Sequence, residues 1–231
     1  MEKRPFSLEG LLQQQANIQV TCSACSAFNW LKLAGATILD RVGTELVSQV
    51  ITTKTPLQET DLQKLAGDHG FQVSNYFPFE NHITVKDMVN DVSLLLDQSP
   101  LLLNISTHFS KKPRNIQATF SAEDMIDSEG KIITHAVVAV KKSDDKILII
   151  DPYDPLNPEE FDISKQEEEI RFISWIFSSY YQYQLETKEL TTKKAILQAA
   201  QELSNVDLVN KGQINMFGFL QAKIRFLKRN S

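Results

Sequence analysis

Cysteine is nearly absent from this chain of 231 residues: Cys22 and Cys25 are the only two, and they stand three positions apart. So close a pair cannot staple a domain of this size, which excludes a disulfide framework and points to a reducing compartment. Basic excess is missing as well. The formal net charge is −5, which argues against a nucleic-acid partner, because binding phosphates calls for a positive face. Nowhere do about 18 apolar residues run together without charge, the length that a membrane helix needs. The opening stretch MEKRPFSLEGLLQQQ has no apolar core of a secretory signal, so neither a membrane span nor a Sec-type precursor is expected. Internal repeats and low-complexity blocks are also lacking. What is present, 42% hydrophobic and 9% aromatic residues, suffices for one large core, with or without an appendage.

Periodicity divides the chain into a helical beginning, a strand-rich middle and a helical end. Over 24–40, Ala27, Phe28, Leu31, Leu33, Ala34 and Ile38 recur at near-helical spacing, with Thr21 and Ser23 as candidate caps, so a central buried helix is expected to start at the second cysteine. Amphipathic helices are predicted over 61–70 and 85–98, the second capped by Thr84 and stopped by Pro100. The period then changes to that of strands over 101–106, 131–140 and 146–150, the last two forming a hairpin across the polar turn SDDK. Aromatic-rich stretches at 171–177 and 180–185 are further strand candidates, and 191–203 and 217–227 close the chain as helices. The connection over 107–130 is long for a compact domain and is a candidate lid or recognition element. Its KKPR stretch is read as a solvated basic turn ahead of a docking site for an acidic partner.

Chemistry needs partners for a thiol, and the four histidines supply the test. His69 stands in a DHG turn, His82 in a polar NH pair and His108 at the mouth of the long loop. Only His135 begins an apolar strand, in ITHAVVAV. A histidine so placed is more often a core residue than a catalyst, but the next strand, ILIIDPYDP, ends at Asp151, and an antiparallel hairpin brings strand ends side by side. Asp151 is then placed to bind one ring nitrogen of His135 and leave the other for a thiol. A thiolate is favoured by a helix N-terminus and a neighbouring histidinium. Cys25, at the start of the expected helix, is therefore the candidate nucleophile, with His135 as base and Asp151 as its orienting acid. The backbone N–H of Cys25 and the side chain of Gln19 are the candidate oxyanion donors.

These residues resemble a family. The string Gln19-Val-Thr-Cys22-Ser-Ala-Cys25-Ser-Ala27-Phe28 is similar to the active-site segment of papain-like cysteine peptidases, in which a glutamine six residues ahead of the nucleophile completes the oxyanion hole. Thr134 to Val140 is similar to the family's histidine segment, and Asp151 falls sixteen residues after His135, where the family places its third residue. Aspartate in that position, with the DPY ending, resembles bacterial members such as bacteriocin-processing peptidase domains and cysteine-protease effectors. The resemblance implies a papain-like α+β fold over about 15–186. Departures are Ser26 in place of the tryptophan common after the nucleophile, and a Cys22 with no distant cysteine to pair with.

Other readings of the thiols stay open beside this one: a Cys-x-x-Cys redox pair, half of a zinc site, structural thiols, or Cys22 itself as nucleophile, for which the residue six positions earlier is Ala16. The expectation is thus a papain-like catalytic domain over 1–186, its nucleophile helix packed on an antiparallel sheet carrying His135 and Asp151, with a C-terminal helical extension over 187–231 packed on it. The expected function is cleavage of a peptide or isopeptide bond in a protein or peptide substrate, without cofactor or metal. A glutamine deamidase, transglutaminase or acyltransferase on the same scaffold, or a non-catalytic binding module, stands second. The expected setting is cytoplasmic, or a host cytosol reached by a bacterial effector. The basic, apolar C-terminal stretch suits a helix packed on the domain better than one lying on a membrane.

Overall fold

The computed structural model describes residues 7–14, 21–76, 85–106, 134–165, 168, 172 and 224–230. Among these described residues four helices, α1 (Thr21–Leu33), α2 (Asp40–Thr53), α3 (Glu59–Asp68) and α4 (Val85–Gln98), accompany six strands. These are β1 (Phe71–Tyr76), β2 (Leu101–Ser106), β3 (Thr134–Ser143), β4 (Lys146–Ile150), β5 (Glu159–Asp162) and β6 (Ile224–Arg229). The strands form one antiparallel sheet in the order β1-β6-β2-β3-β4-β5. The α+β class expected from the sequence holds.

Alternation along the strands creates two cores, one on each face. Leu102, Val138, Val140, Leu148, Ile150 and Leu227 pack with α1, α2 and α3, around Phe28 and Trp30. Leu101, Leu103, Val137, Ala139, Ile147 and Ile149 pack on the other face with α4, Phe161 and Phe172. A central strand covered on both faces must be apolar at every position, and Val137 to Val140 is. Each large side chain so buried contributes about 1.5–3 kcal/mol. Trp30 also donates from Nε1 to the carbonyl of Pro100 at 2.8 Å, fastening α1 to the start of β2.

Three expectations about the elements change. The first helix ends at Leu33, not at residue 40, because Gly35 adopts φ +83°; Gly35 N–H then donates to Lys32 O and Ala36 N–H to Leu31 O, closing the helix end. The chain restarts as α2, whose Gly43, Leu46 and Val50 face inward. The helix expected over 217–227 is overturned where it is described. Residues 224–229 are β6, inserted between β1 and β2, because Ile224 and Phe226 alternate with Arg225 and Leu227 to serve both faces of the sheet. Arg225 donates from Nε to Glu59 at 2.9 Å, and Lys228 and Arg229 lie over the rings of Phe226 and Phe71. These residues therefore do not form the basic amphipathic helix that a membrane-lying segment needs. The short strands β1 and β5 were not anticipated. Expectations for 107–130, 180–185 and 187–223, and for Gln19, His82 and His108, lie outside the described residues, and of 171–177 only Phe172 is described. Among the described residues no helix is long and apolar enough to cross a membrane.

Candidate active site

Strand β4 stops where Pro152 follows Asp151, and its last residue, Ile150, pairs with Val138 of β3. The stretch of β3 from His135 to Ala136 therefore runs on past the end of β4. Ser26 of α1 donates from Oγ to the Ala136 carbonyl at 2.7 Å. One helical turn earlier, Cys22 receives a hydrogen bond from the Ala136 backbone N–H. Both polar groups of Ala136 are thus taken up by α1, which sets the helix N-terminus against the start of β3.

That docking brings Cys22 and His135 into hydrogen-bond contact. On its other side, His135 shares Nε2 with Asp151 Oδ1 at 2.7 Å, which leaves Nδ1 for Cys22. The alternation of β3 and the continuation of β4 put His135 and Asp151 on the same side of the sheet, as the hairpin reasoning required. His135 is only 2% exposed and Cys22 6%. Asp151 Oδ1 also accepts from the Tyr153 N–H at 3.0 Å, and the Tyr153 ring stacks on His135 with centroids 5.0 Å apart and planes 21° apart.

The turn that carries Asp151 is itself held from α1. Asn29, two turns below Cys22, accepts from Leu12 N–H at 2.7 Å and donates to Leu12 O at 3.0 Å. The chain then runs from Leu12 to Gln14, whose N–H donates to Pro152 O at 2.6 Å, while Gln13 Nε2 donates to Tyr153 O at 2.9 Å. Residues 12–14 form a strap that ties α1 to the Asp151 turn.

Electrostatics divides the two thiols. Burial pushes the Cys22 thiol up, but the hydrogen bond and charge of His135, with the Ala136 N–H, outweigh it and hold Cys22 below its ordinary value of 9.0. Its place in the first turn of α1 acts in the same direction. Burial pulls His135 down, but the charge and hydrogen bond of Asp151, and then the contact with Cys22, raise it above 6.5. Cys25 is the opposite case: burial, and then the charge of Cys22, push its thiol up to about 12. A thiol shifted in that direction holds its proton at neutral pH, and the protonated form is the less nucleophilic one.

The geometry accordingly brings together His135 and Asp151 from the expected set, and the thiol beside them is that of Cys22, not Cys25. The cause is the helix start. Because α1 begins at Thr21, the first-turn position that faces β3 belongs to Cys22, and Cys25 lies three residues on, 1% exposed. A signal for this exists in the sequence: Cys22, Ser26 and Asn29 recur at spacings of four and three, a buried polar stripe along a mostly apolar helix. Such a stripe has to meet polar partners, and it meets Ala136, His135 and Leu12. Tyr153 and the strap were not foreseen either.

Among the described residues no cluster of three or more His, Cys, Asp or Glu side chains is built to hold a metal ion. No protein-family model, curated protein or solved structure matches this chain.

Proposed function

We propose that the chain is a papain-like thiol hydrolase that cleaves a peptide or isopeptide bond in a protein substrate, with Cys22 as nucleophile, His135 as general base and acid, and Asp151 as the group that orients and charges the imidazole. The observation that carries this is the continuous contact from Cys22 through His135 to Asp151 at the N-terminus of a buried helix. The resemblance of the flanking segments to papain-like peptidases supports it, with the nucleophile moved from Cys25 to Cys22. The two free thiols suit a reducing compartment.

In the reaction, the Cys22 thiolate attacks the carbonyl carbon while the histidinium of His135 stands ready to protonate the leaving amine. The backbone N–H of Cys22, in the first turn of α1, is a donor that the described residues offer the developing oxyanion. Neutral His135 then draws a proton from water, which resolves the thioester. Asp151 keeps Nε2 protonated and compensates the imidazolium, as the acid does in a Ser-His-Asp triad.

Digestion of a denatured proteome-derived peptide library, with labelling of new N-termini, tests the assignment. Wild type and Cys25→Ser should generate new termini, and Cys22→Ala, His135→Ala and a buffer blank should not. Cleavage that survives Cys22→Ala would overturn it. Ammonia release without new termini would replace the peptidase by a deamidase on the same triad.

A further inference from the structure

The proton-transfer chain has no use for Cys25, yet that thiol stands one helical turn from the nucleophile. We propose that Cys22 and Cys25 form a peroxide-reactive dithiol site, in which a hydroperoxide oxidises Cys22 and Cys25 resolves it as a reversible disulfide. The proposal rests on Cys22 being the activated thiol of the preceding section.

Three observations carry it. The thiols sit at i and i+3 in the first turns of α1, where Cβ atoms lie about 5–6 Å apart. A disulfide asks for about 3.8 Å, a gap that a small adjustment of the helix's first turn closes. Both thiols are free, and the chain has no third cysteine, so this is the one intramolecular disulfide it can make. Finally, the two are chemically unequal. Cys22 is paired to His135, while Cys25 is buried and stays protonated, which leaves Cys22 as the thiol that a peroxide meets as thiolate.

The steps balance without a further reagent. The Cys22 thiolate attacks the hydroperoxide, a sulfur–oxygen bond forms and the oxygen–oxygen bond breaks. Sulfur is oxidised to sulfenic acid, the peroxide is reduced, and its departing alkoxide or hydroxide takes the His135 proton. Loss of the thiolate removes the neighbouring charge that helps hold the Cys25 proton. Cys25 sulfur then attacks Cys22 sulfur, the sulfur–oxygen bond breaks, and the Cys25 proton leaves with the hydroxide as water. The disulfide blocks the nucleophile but shields it from the irreversible sulfinic and sulfonic acids, and a thiol reductant restores it.

The test exposes the reduced full chain to hydrogen peroxide and follows intact mass, peptide maps, and Cys22 alkylation before and after dithiothreitol. Wild type should lose two hydrogen atoms of mass in a Cys22–Cys25 linkage, lose alkylation, and recover it fully on reduction. Cys25→Ser and Cys25→Ala should instead gain oxygen atoms at Cys22 and recover poorly from excess peroxide. The wild-type mass change needs neither variant to fold. Oxygen adducts at a readily alkylated wild-type Cys22, with no linkage, would overturn the dithiol and leave the proposed triad standing. A wild-type Cys22 inert to both peroxide and iodoacetamide would overturn both.

Discussion

Replacing Asn29 by leucine should cut the strap from α1 and loosen the site at a distance. Leucine fills nearly the same volume and opens no cavity, so the loss is one of hydrogen bonds alone. Asn29 makes two, to Leu12 N–H at 2.7 Å and to Leu12 O at 3.0 Å, from a side chain that is 1% exposed. At a net value of about 1 kcal/mol each, their removal costs about 2 kcal/mol. Any backbone group of Leu12 that then stays buried without a partner adds about 1–3 kcal/mol. The expected destabilisation is therefore about 2–5 kcal/mol, which at a urea slope of about 2–3 kcal/mol/M moves the unfolding midpoint down by about 0.7–2.5 M. Cys22 alkylation should slow in parallel under native conditions, because Gln13 and Gln14 no longer hold Pro152 and Tyr153 firmly. A midpoint shift below about 0.3 M, at unchanged slope, would show that the strap is not stitched to α1 as described.

Asp151→Asn removes the charge that most raises His135, so the histidinium should be lost at lower pH and the alkaline side of the Cys22–His135 window should contract, read as slower Cys22 alkylation at neutral pH in a folded protein. Tyr153→Phe keeps the ring that stacks on His135 and the N–H that binds Asp151, and should leave Cys22 reactivity near wild type; Tyr153→Ala removes the ring and should lower it, compared by alkylation rate against pH. A methyl at Gly43 would collide with Leu12 and Phe28 where α2 meets α1, so Gly43→Ala should destabilise by about 1–3 kcal/mol in urea unfolding. Gly67 in α3 has open space around it, and Gly67→Ala should stabilise by about 0.5–1 kcal/mol in the same measurement.

What the sequence revealed follows from how local each feature is. That His135 and Asp151 lie side by side was legible because a hairpin across SDDK places both strand ends by local geometry, and the two side chains stand 2.7 Å apart beyond the last β3–β4 pair. Helix α4 was legible at its full length, Val85–Gln98, because its apolar period ends at Pro100. The thiol that lies beside His135 was not, because periodicity fixes which residues share a face better than where a helix begins, and a three-residue shift exchanges Cys25 for Cys22. Strand β6 was misread because Ile224, Phe226 and Leu227 satisfy a helical period as well as a strand, and its partners β1 and β2 lie far off in the sequence. Strand β5, EEFD, is short and acidic, and only the burial of Phe161 and the pairing of Glu160 with Lys142 and Lys146 disclose it.

Whether Cys22 or Cys25 is the activated thiol can be read from the pH dependence of iodoacetamide alkylation at each cysteine, resolved by peptide mass. The Cys22 thiol lies below 9.0, so its thiolate is present above that lowered value and is lost as pH falls through it; His135, raised above 6.5, keeps its proton until pH climbs through its own raised value. Cys22 should therefore alkylate rapidly well below pH 9.0, and His135→Ala should abolish that reactivity. Cys25, at about 12, should stay unlabelled across the neutral range in the folded chain. Rapid labelling of Cys25, or a Cys22 that titrates as a free thiol regardless of His135, would show that Cys22 is not the thiol that His135 activates.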